Sequence, residues 1–210
     1  MSFDAILHTL VTWTPYLAEG FVWNILVSLV SMIVGTVIGG GLALLRLSPR
    51  RILVRFSLGV TEVCRNIPTF VFLFYLAYII PVEIVYDGGV FSFPAWLKAA
   101  LALSVAVVGF VSDNLSVALR EWRAGHVMSA LLFIPNWTSY LLIIIMASST
   151  ASVIGVGEIV SRCNTVIAAV GNNDLMLWIY LYAMLWFFLF SFPLTVLMNT
   201  IKARMQKRAV

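Results

Sequence analysis

The sequence predicts an all-α integral membrane protein with five transmembrane helices, built as a single domain over residues 1–210, and three observations predict it. Hydrophobic residues fill 62% of the 210 positions and charged residues only 10%, whereas charged residues supply about a quarter of an ordinary soluble domain. The mean hydropathy of +1.03 excludes a disordered chain. The apolar residues gather into runs near the roughly 20 residues that cross a hydrocarbon core, with the basic residues clustered beside them. A soluble α/β enzyme of this length would need a polar surface that is missing here. One polytopic bundle also leaves no residues for a separate catalytic domain.

The first expected span, Phe21 to Leu45, holds no charge. The second, Ile67 to Val85, begins through Pro68, whose missing N–H is harmless in a first helical turn. The third runs from Phe93 to Val111, with Lys98 near enough to its end to snorkel. The fourth covers Leu131 to Val156, where Pro135 favours a helix start or kink, and the fifth covers Leu175 to Met198. Ahead of the first span, Phe3, Ile6, Leu7, Leu10, Val11 and Leu17 recur at helical spacing, which predicts a stretch lying along the outer surface before the chain enters the membrane. It lacks a basic n-region and a small-residue cleavage site, so it is expected to be retained. His8 within it reads as an interfacial bystander.

An odd number of spans puts the termini on opposite sides, and Lys and Arg decide which is which. Arg46, Arg50, Arg51, Arg55 and Arg65 follow span one, Arg120 and Arg123 follow span three, and Lys202, Arg204, Lys207 and Arg208 follow span five, which is eleven of the 13. Lys98 and Arg162 fall on the other side with Asp4, Glu19, Glu83, Asp87, Glu158 and Asp174. The expected orientation is N-terminus out and C-terminus in the cytoplasm. Trp13, Tyr16, Trp23, Tyr86, Trp96, Trp178 and Tyr180 suit an outer aromatic belt. The net charge of +4 and pI near 9.3 are thus topology signals and imply membrane lipid, not nucleic acid, as the surrounding partner.

Chemistry-bearing motifs are missing. There is no G-x-x-x-x-G-K-[ST] loop to cradle phosphates, no H-E-x-x-H, no paired-Cys motif and no G-x-S-x-G, so neither intrinsic catalysis nor a bound cofactor or metal is expected. Cys64 and Cys163 stand apart with no ligand spacing and read as packing residues. The triplets N-L-S at Asn114 and N-W-T at Asn136 lie at or inside spans and read as chance sequons. Gly35, Gly39, Gly40 and Gly41 give a small-residue face that serves either packing within the chain or an interface between chains.

From Leu17 to Pro81 the chain reads LAEGFVWNILVSLVSMIVGTVIGGGLALLRLSPRR and then TEVCRNIPTFVFLFYLAYIIP. With A-L-L-R-L-S at Ala43 to Ser48, the E-x-x-R-x-x-P of Glu62, Arg65 and Pro68 before an aromatic helix, and A-S-V-I-G-V-G-E-I at Ala151 to Ile159, it resembles the membrane permease subunits of bacterial ABC importers for polar amino acids, the histidine, glutamine, arginine and opine uptake family. The resemblance covers most of residues 17 to 208. It implies a five-span permease of the bacterial inner membrane, N-terminus periplasmic and C-terminus cytoplasmic, for amino acids or similar compounds. It further implies cytoplasmic ATPase subunits that hold the ATP and Mg, a second permease subunit, and a periplasmic substrate-binding protein.

Two stretches depart from that family. Its members carry between spans three and four a cytoplasmic Glu-Ala-Ala loop that docks in an ATPase groove. Here the coupling region, about residues 113–135, is shortened and reads RAGHVMSALLFIP from Arg123 to Pro135. The resemblance places Arg123, Gly125, His126, Met128, Ser129 and Ala130 at the ATPase contact, with Met128 at the Glu position; the stretch reads equally as a lead-in to span four. Where many members have Lys-Asp in the fourth span, this chain has Met146 and Ala147, then Ser148, Ser149 and Thr150. The resemblance assigns these five to the substrate path. Hydroxyl residues also let helices pack closely and bond their own backbone, so both roles stand. A secondary carrier or channel is the rival class. It would bury ion-coupling carboxylates, and only Glu62 and Asp113 come near a span. An accessory, non-transporting membrane subunit is the third option.

Overall fold

The computed structural model describes residues 3–81, 83–86 and 89–209. Asp87, expected on the outer side, lies outside the described residues. The elements run α1 (Phe3–Leu45), α2 (Arg51–Asn66), α3 (Thr69–Ile79), β1 (Glu83–Tyr86), β2 (Gly89–Ser92), α4 (Ala95–Arg123), α5 (Val127–Leu131), α6 (Phe133–Ala147), a 3-10 turn (Ser148–Ile154), α7 (Ile159–Val170), a second 3-10 turn (Asn173–Leu175) and α8 (Met176–Ala209).

The bundle is helical, as expected, apart from one antiparallel ribbon in which Glu83 pairs with Ser92 and Tyr86 with Gly89. That ribbon takes up the end of the expected second span. Among the described residues four helices are long and apolar enough to cross a membrane, and the bent pair α2 and α3 makes a fifth crossing if taken as one span. Its 90° bend follows from Pro68. The residue before a proline avoids the helical region, and Ile67 accordingly adopts φ −87°, ψ 124°. Residues 67–85 are therefore not one straight helix.

Contacts along the helices fix their directions. Gly35 meets Ser104 and Val107, and four residues later Gly39 meets Val108 and Val111, so α1 and α4 run parallel. The chain must return between them, and only α2 and α3 are available. Their register agrees, because Arg65 lies against Gly109 while Ala77 and Ile80 lie against Lys98 further back along α4. Thr14 bonds Tyr182 of α8, and one register further on Phe21 touches Trp186 and Phe190, so α8 also runs with α1. With the bent pair taken as one span, five crossings of alternating direction result, with Phe3 and Ala209 at opposite ends of the bundle.

α1 is the spine. Its second half joins α3, α4 and α6 in a core around Val27, Met32, Leu73, Leu103, Val107 and Ile144. Its first half joins α7 and α8 in another around Leu17, Phe21, Ile159, Cys163 and Ile179. A Cβ on Gly35 would lie 2.4 Å from the Val107 Cβ, and one on Gly39 would lie 2.7 Å from the Val108 carbonyl. These two glycines thus serve packing within the chain, whereas Gly41 faces open space.

Two further expectations change, and one helix is added. The stretch over residues 3–17 is the continuous start of α1, even across Pro15, because Thr9, Thr12 and Thr14 and the apolar residues keep one helical period. Lys98 does not snorkel: it is buried and donates to the Ala77 and Ile80 carbonyls, occupying acceptors that the end of α3 leaves open. Between spans four and five stands α7, begun by Glu158 and ended by Gly171 at φ 64°.

Candidate functional site

Span four breaks where the family resemblance placed the substrate path. α6 passes into a 3-10 turn at Ser148 that ends on Gly155 at φ 86°. Ser148 is fully buried, accepts from the Asn24 amide at 2.9 Å and donates to the Ile145 carbonyl at 2.7 Å. Ser149 and Thr150 donate to the Met146 and Ala147 carbonyls, each at 2.8 Å. Their hydroxyls are thereby used on their own helix. Met146 and Thr150 are exposed and Ala147 and Ser149 half-buried, so these four share a free side of the chain and Ser148 does not.

Ser148 instead belongs to a buried network that joins three distant segments. The Glu158 carboxylate accepts the Val160 and Ser161 N–H groups at 3.0 and 2.9 Å, as an N-cap does, and the Asn24 amide at 3.1 Å. The Asn24 carbonyl accepts the Ile159 N–H at 3.1 Å. Beside it, Arg162 donates to the Tyr16 carbonyl at 2.9 Å and to Glu19 at 2.7 Å and stacks over the Tyr16 ring. Asn24, Ser28 and Ser31 sit at helical spacing in an otherwise apolar run, and that spacing was the available sequence signal for a buried polar face.

At the opposite end, the α2–α3 bend opens a cleft of about 420 Å³ against α4 and α6. Arg65 of the E-x-x-R-x-x-P stretch reaches Asp113 at 2.6 Å, and Arg46 meets the other carboxylate oxygen at 2.6 Å. Thr61 and Ser112 hydrogen-bond below them at 2.7 Å. Phe110 and Tyr140 stack with centroids 3.9 Å apart, and Cys64 and Asn114 complete the lining. A second cleft of about 470 Å³ shares Asp113 and Asn114 and continues past Ser129 and Glu121. Sequence reasoning singled out Glu62 and Arg65 but not the pairing with Asp113. Glu62 turns to Asn66 instead.

The coupling region is compact. α4 continues through residues 113–123, so only Ala124 to His126 connect it to α5. Gly125 at φ 87° ends α4, with its own N–H on the Trp122 carbonyl and the His126 N–H on the Glu121 carbonyl, the two bonds of a Schellman ending. Arg123, Gly125 and His126 are exposed, and His126 lies 2.9 Å from the Glu121 carboxylate. Met128 and Ser129 are half-buried and Ala130 is buried, as α5 packs on α4 and α8.

Neither a protein-family model nor a curated protein matches the sequence. Solved structures do share its fold. A crystal structure of an amino acid ABC transporter with histidines superposes with a TM-score of 0.75 at 17% identity, covering 97% of this chain and 99% of that one. The MetNI methionine ABC transporter in inward-facing conformations superposes with a TM-score of 0.56, also at 17% identity, covering the whole of both chains. The chain is a multi-pass membrane protein with the fold of an ABC-transporter membrane subunit, the fold that the sequence resemblance implied.

Proposed function

We propose that the chain is the permease subunit of an ATP-driven importer that carries an amino acid or a similar compound across a bacterial inner membrane by alternating access. The observation that carries this reading is the superposition of 97% of the chain on an amino acid ABC transporter subunit. Cytoplasmic ATPase subunits would supply the energy, with ATP and Mg held there and not on this chain. A periplasmic binding protein would deliver the substrate, and a second permease chain would complete the path. The basic asymmetry places the α4–α5 turn and the end of α8 in the cytoplasm, with α7 and the β ribbon outside.

The three-residue turn between α4 and α5 favours unequal partners. A power stroke needs a rigid docking element, and here the exposed run is only residues 122–127, while the rest of α5 packs on α4 and α8. The second permease would then carry an intact Glu-Ala-Ala loop and most of the coupling. Cysteines at Gly125 or His126 should crosslink to the ATPase weakly or not at all, against strong crosslinking from the partner's loop. Equal crosslinking from both would refute the asymmetry. The function itself is tested by purifying the intact complex and identifying its chains, and by reconstituting this chain alone. Proteoliposomes of the isolated chain should be inert, and uptake driven by a sodium or proton gradient would overturn the reading in favour of a secondary carrier.

A further inference from the structure

The cleft at the α2–α3 bend holds more cationic hydrogen-bonding capacity than its own carboxylate uses. Each oxygen of Asp113 already lies 2.6 Å from one guanidinium, Oδ1 ion-paired with Arg46 and Oδ2 hydrogen-bonded by Arg65. Arg46 is committed, its side chain only 9% exposed. Arg65 is 55% exposed, and only one of its nitrogens has a hydrogen-bond partner among the described residues. Two arginines against one aspartate leave a net positive charge. Among the described residues neither Glu62, which hydrogen-bonds Asn66, nor Glu121, which meets His126, ion-pairs with Arg46 or Arg65, and neither lines this cleft. The Asn114 amide donates to the Phe110 carbonyl, which leaves its own carbonyl oxygen as an acceptor on the same wall. Tyr140, Ile67 and Pro68 supply apolar surface.

An ion pair with an open side is a template for a zwitterion, since a small molecule laid antiparallel along it meets the opposite charge at both of its ends. A guanidinium also offers a planar fork that a carboxylate can take bidentately. A cleft of about 420 Å³ lies in the range of small-molecule sites. We propose that this cleft binds the α-amino-acid head of the cargo, with its carboxylate on the free edge of Arg65, its ammonium between Asp113 and the Asn114 carbonyl, and its side chain along Tyr140. The assignment rests on the permease reading above and gives that reading a site.

Cys64 lines this cleft while Cys163 is buried, so the protein contains its own reporter. The full chain in lipid nanodiscs is alkylated with N-ethylmaleimide, with and without millimolar L-histidine, L-glutamine or L-arginine, and with the decarboxylated amine and the deaminated acid of each. The expected result is a threefold or greater slowing of Cys64 labelling by at least one intact amino acid. The amine and the acid should give little protection. Arg65→Gln should abolish the protection, measured against that variant's own unliganded labelling rate, while leaving a monodisperse elution profile. Asn114→Leu, which fills the cleft without touching either ion pair, should abolish it as well. Labelling unchanged by all three amino acids, slowed equally by the amines, or still protected in Arg65→Gln would overturn the assignment. Uptake by cells lacking the chain separates this from the permease reading: lost uptake with an unprotected Cys64 sinks the cleft alone, and protection without any chain-dependent uptake sinks the permease role alone.

Discussion

At the end of the bundle that carries α7, the Glu158 carboxylate accepts three hydrogen bonds, Asn24 uses both its amide and its carbonyl, and Arg162 meets a carboxylate, a carbonyl and a ring face. At the other end, Arg46 and Arg65 share one carboxylate, the buried Arg46 Nε has no hydrogen-bond partner among the described residues, and an open cleft adjoins Arg65. The difference separates two uses of buried polarity. A saturated network fixes geometry, here by pinning the broken end of span four and the start of α7 to α1. An under-compensated cluster beside a cleft retains capacity for a charged ligand or for rearrangement.

The sharpest way to break this comparison is at Asp113. Asp113→Ala leaves Arg46 buried without its counter-charge, and removing one partner of a buried pair costs about 3–5 kcal/mol. Thermal unfolding in detergent should therefore fall by many degrees. The double change Arg46→Met with Asp113→Leu should recover most of the loss, because apolar replacement of a whole buried pair is often neutral. An unshifted midpoint in Asp113→Ala would mean that the cluster contributes nothing to holding α1 and α4 together. Glu158→Ala comes next, at about 2–3 kcal/mol, from the lost helix cap and the unsatisfied Asn24 amide. Glu158→Gln keeps one acceptor oxygen, which in the Oε2 place still meets Asn24 and Val160 while its amide nitrogen faces the Ser161 N–H, and should lose less than Glu158→Ala. Equal losses in the two variants would show that charge, not hydrogen-bond saturation, holds this end.

Much of this architecture was legible in the sequence. Charge-free runs mark the crossings because the hydrocarbon core tolerates little else. Pro68 marked the start of a helix, and its restriction on Ile67 makes the break, but the angle of 90° also depends on how α2 packs its Ser57 and Thr61 against α1 and α4. The length of α4 was hidden because its polar end, Asp113 to Arg123, reads as a loop by hydropathy yet continues the helix. Residues of the candidate cleft were visible singly, Arg65 in a motif and Asp113 as a carboxylate near a span. Their meeting was not, since they lie 48 positions apart and are joined only by the antiparallel return of α2 and α3. The Asn24 and Glu158 network was hidden for the same reason across 134 positions.

Both ends draw on α1, through Asn24 within it and Arg46 directly after it, so the α1–α4 crossing offers a control between them. Gly39→Ala forces a methyl to 2.7 Å from the Val108 carbonyl, and overpacking of this kind costs about 1–3 kcal/mol. Gly41→Ala, two residues on within the same helix and facing open space, should leave stability unchanged or raise it by up to about 1 kcal/mol. Matched unfolding curves for the pair would read the close approach directly. Identical curves would place the tight α1–α4 contact in doubt.

The smallest stability effect is expected at Ser149, and there the comparison becomes functional. Its hydroxyl bonds only the Met146 carbonyl and its side chain is half-buried, so Ser149→Leu should stay within about 0.5 kcal/mol of the parent. Ser148→Leu, two hydrogen bonds deep in the saturated network, should instead destabilise on the scale of Glu158→Ala. If Met146, Ala147, Ser149 and Thr150 border the substrate path, Ser149→Leu lowers uptake in an assembled complex of normal stability, because a bulky side chain obstructs the path without disturbing the fold. Normal uptake in Ser149→Leu would assign that side of the chain to packing against lipid or a partner helix, leaving the cleft at the α2–α3 bend as the candidate for substrate contact on this chain.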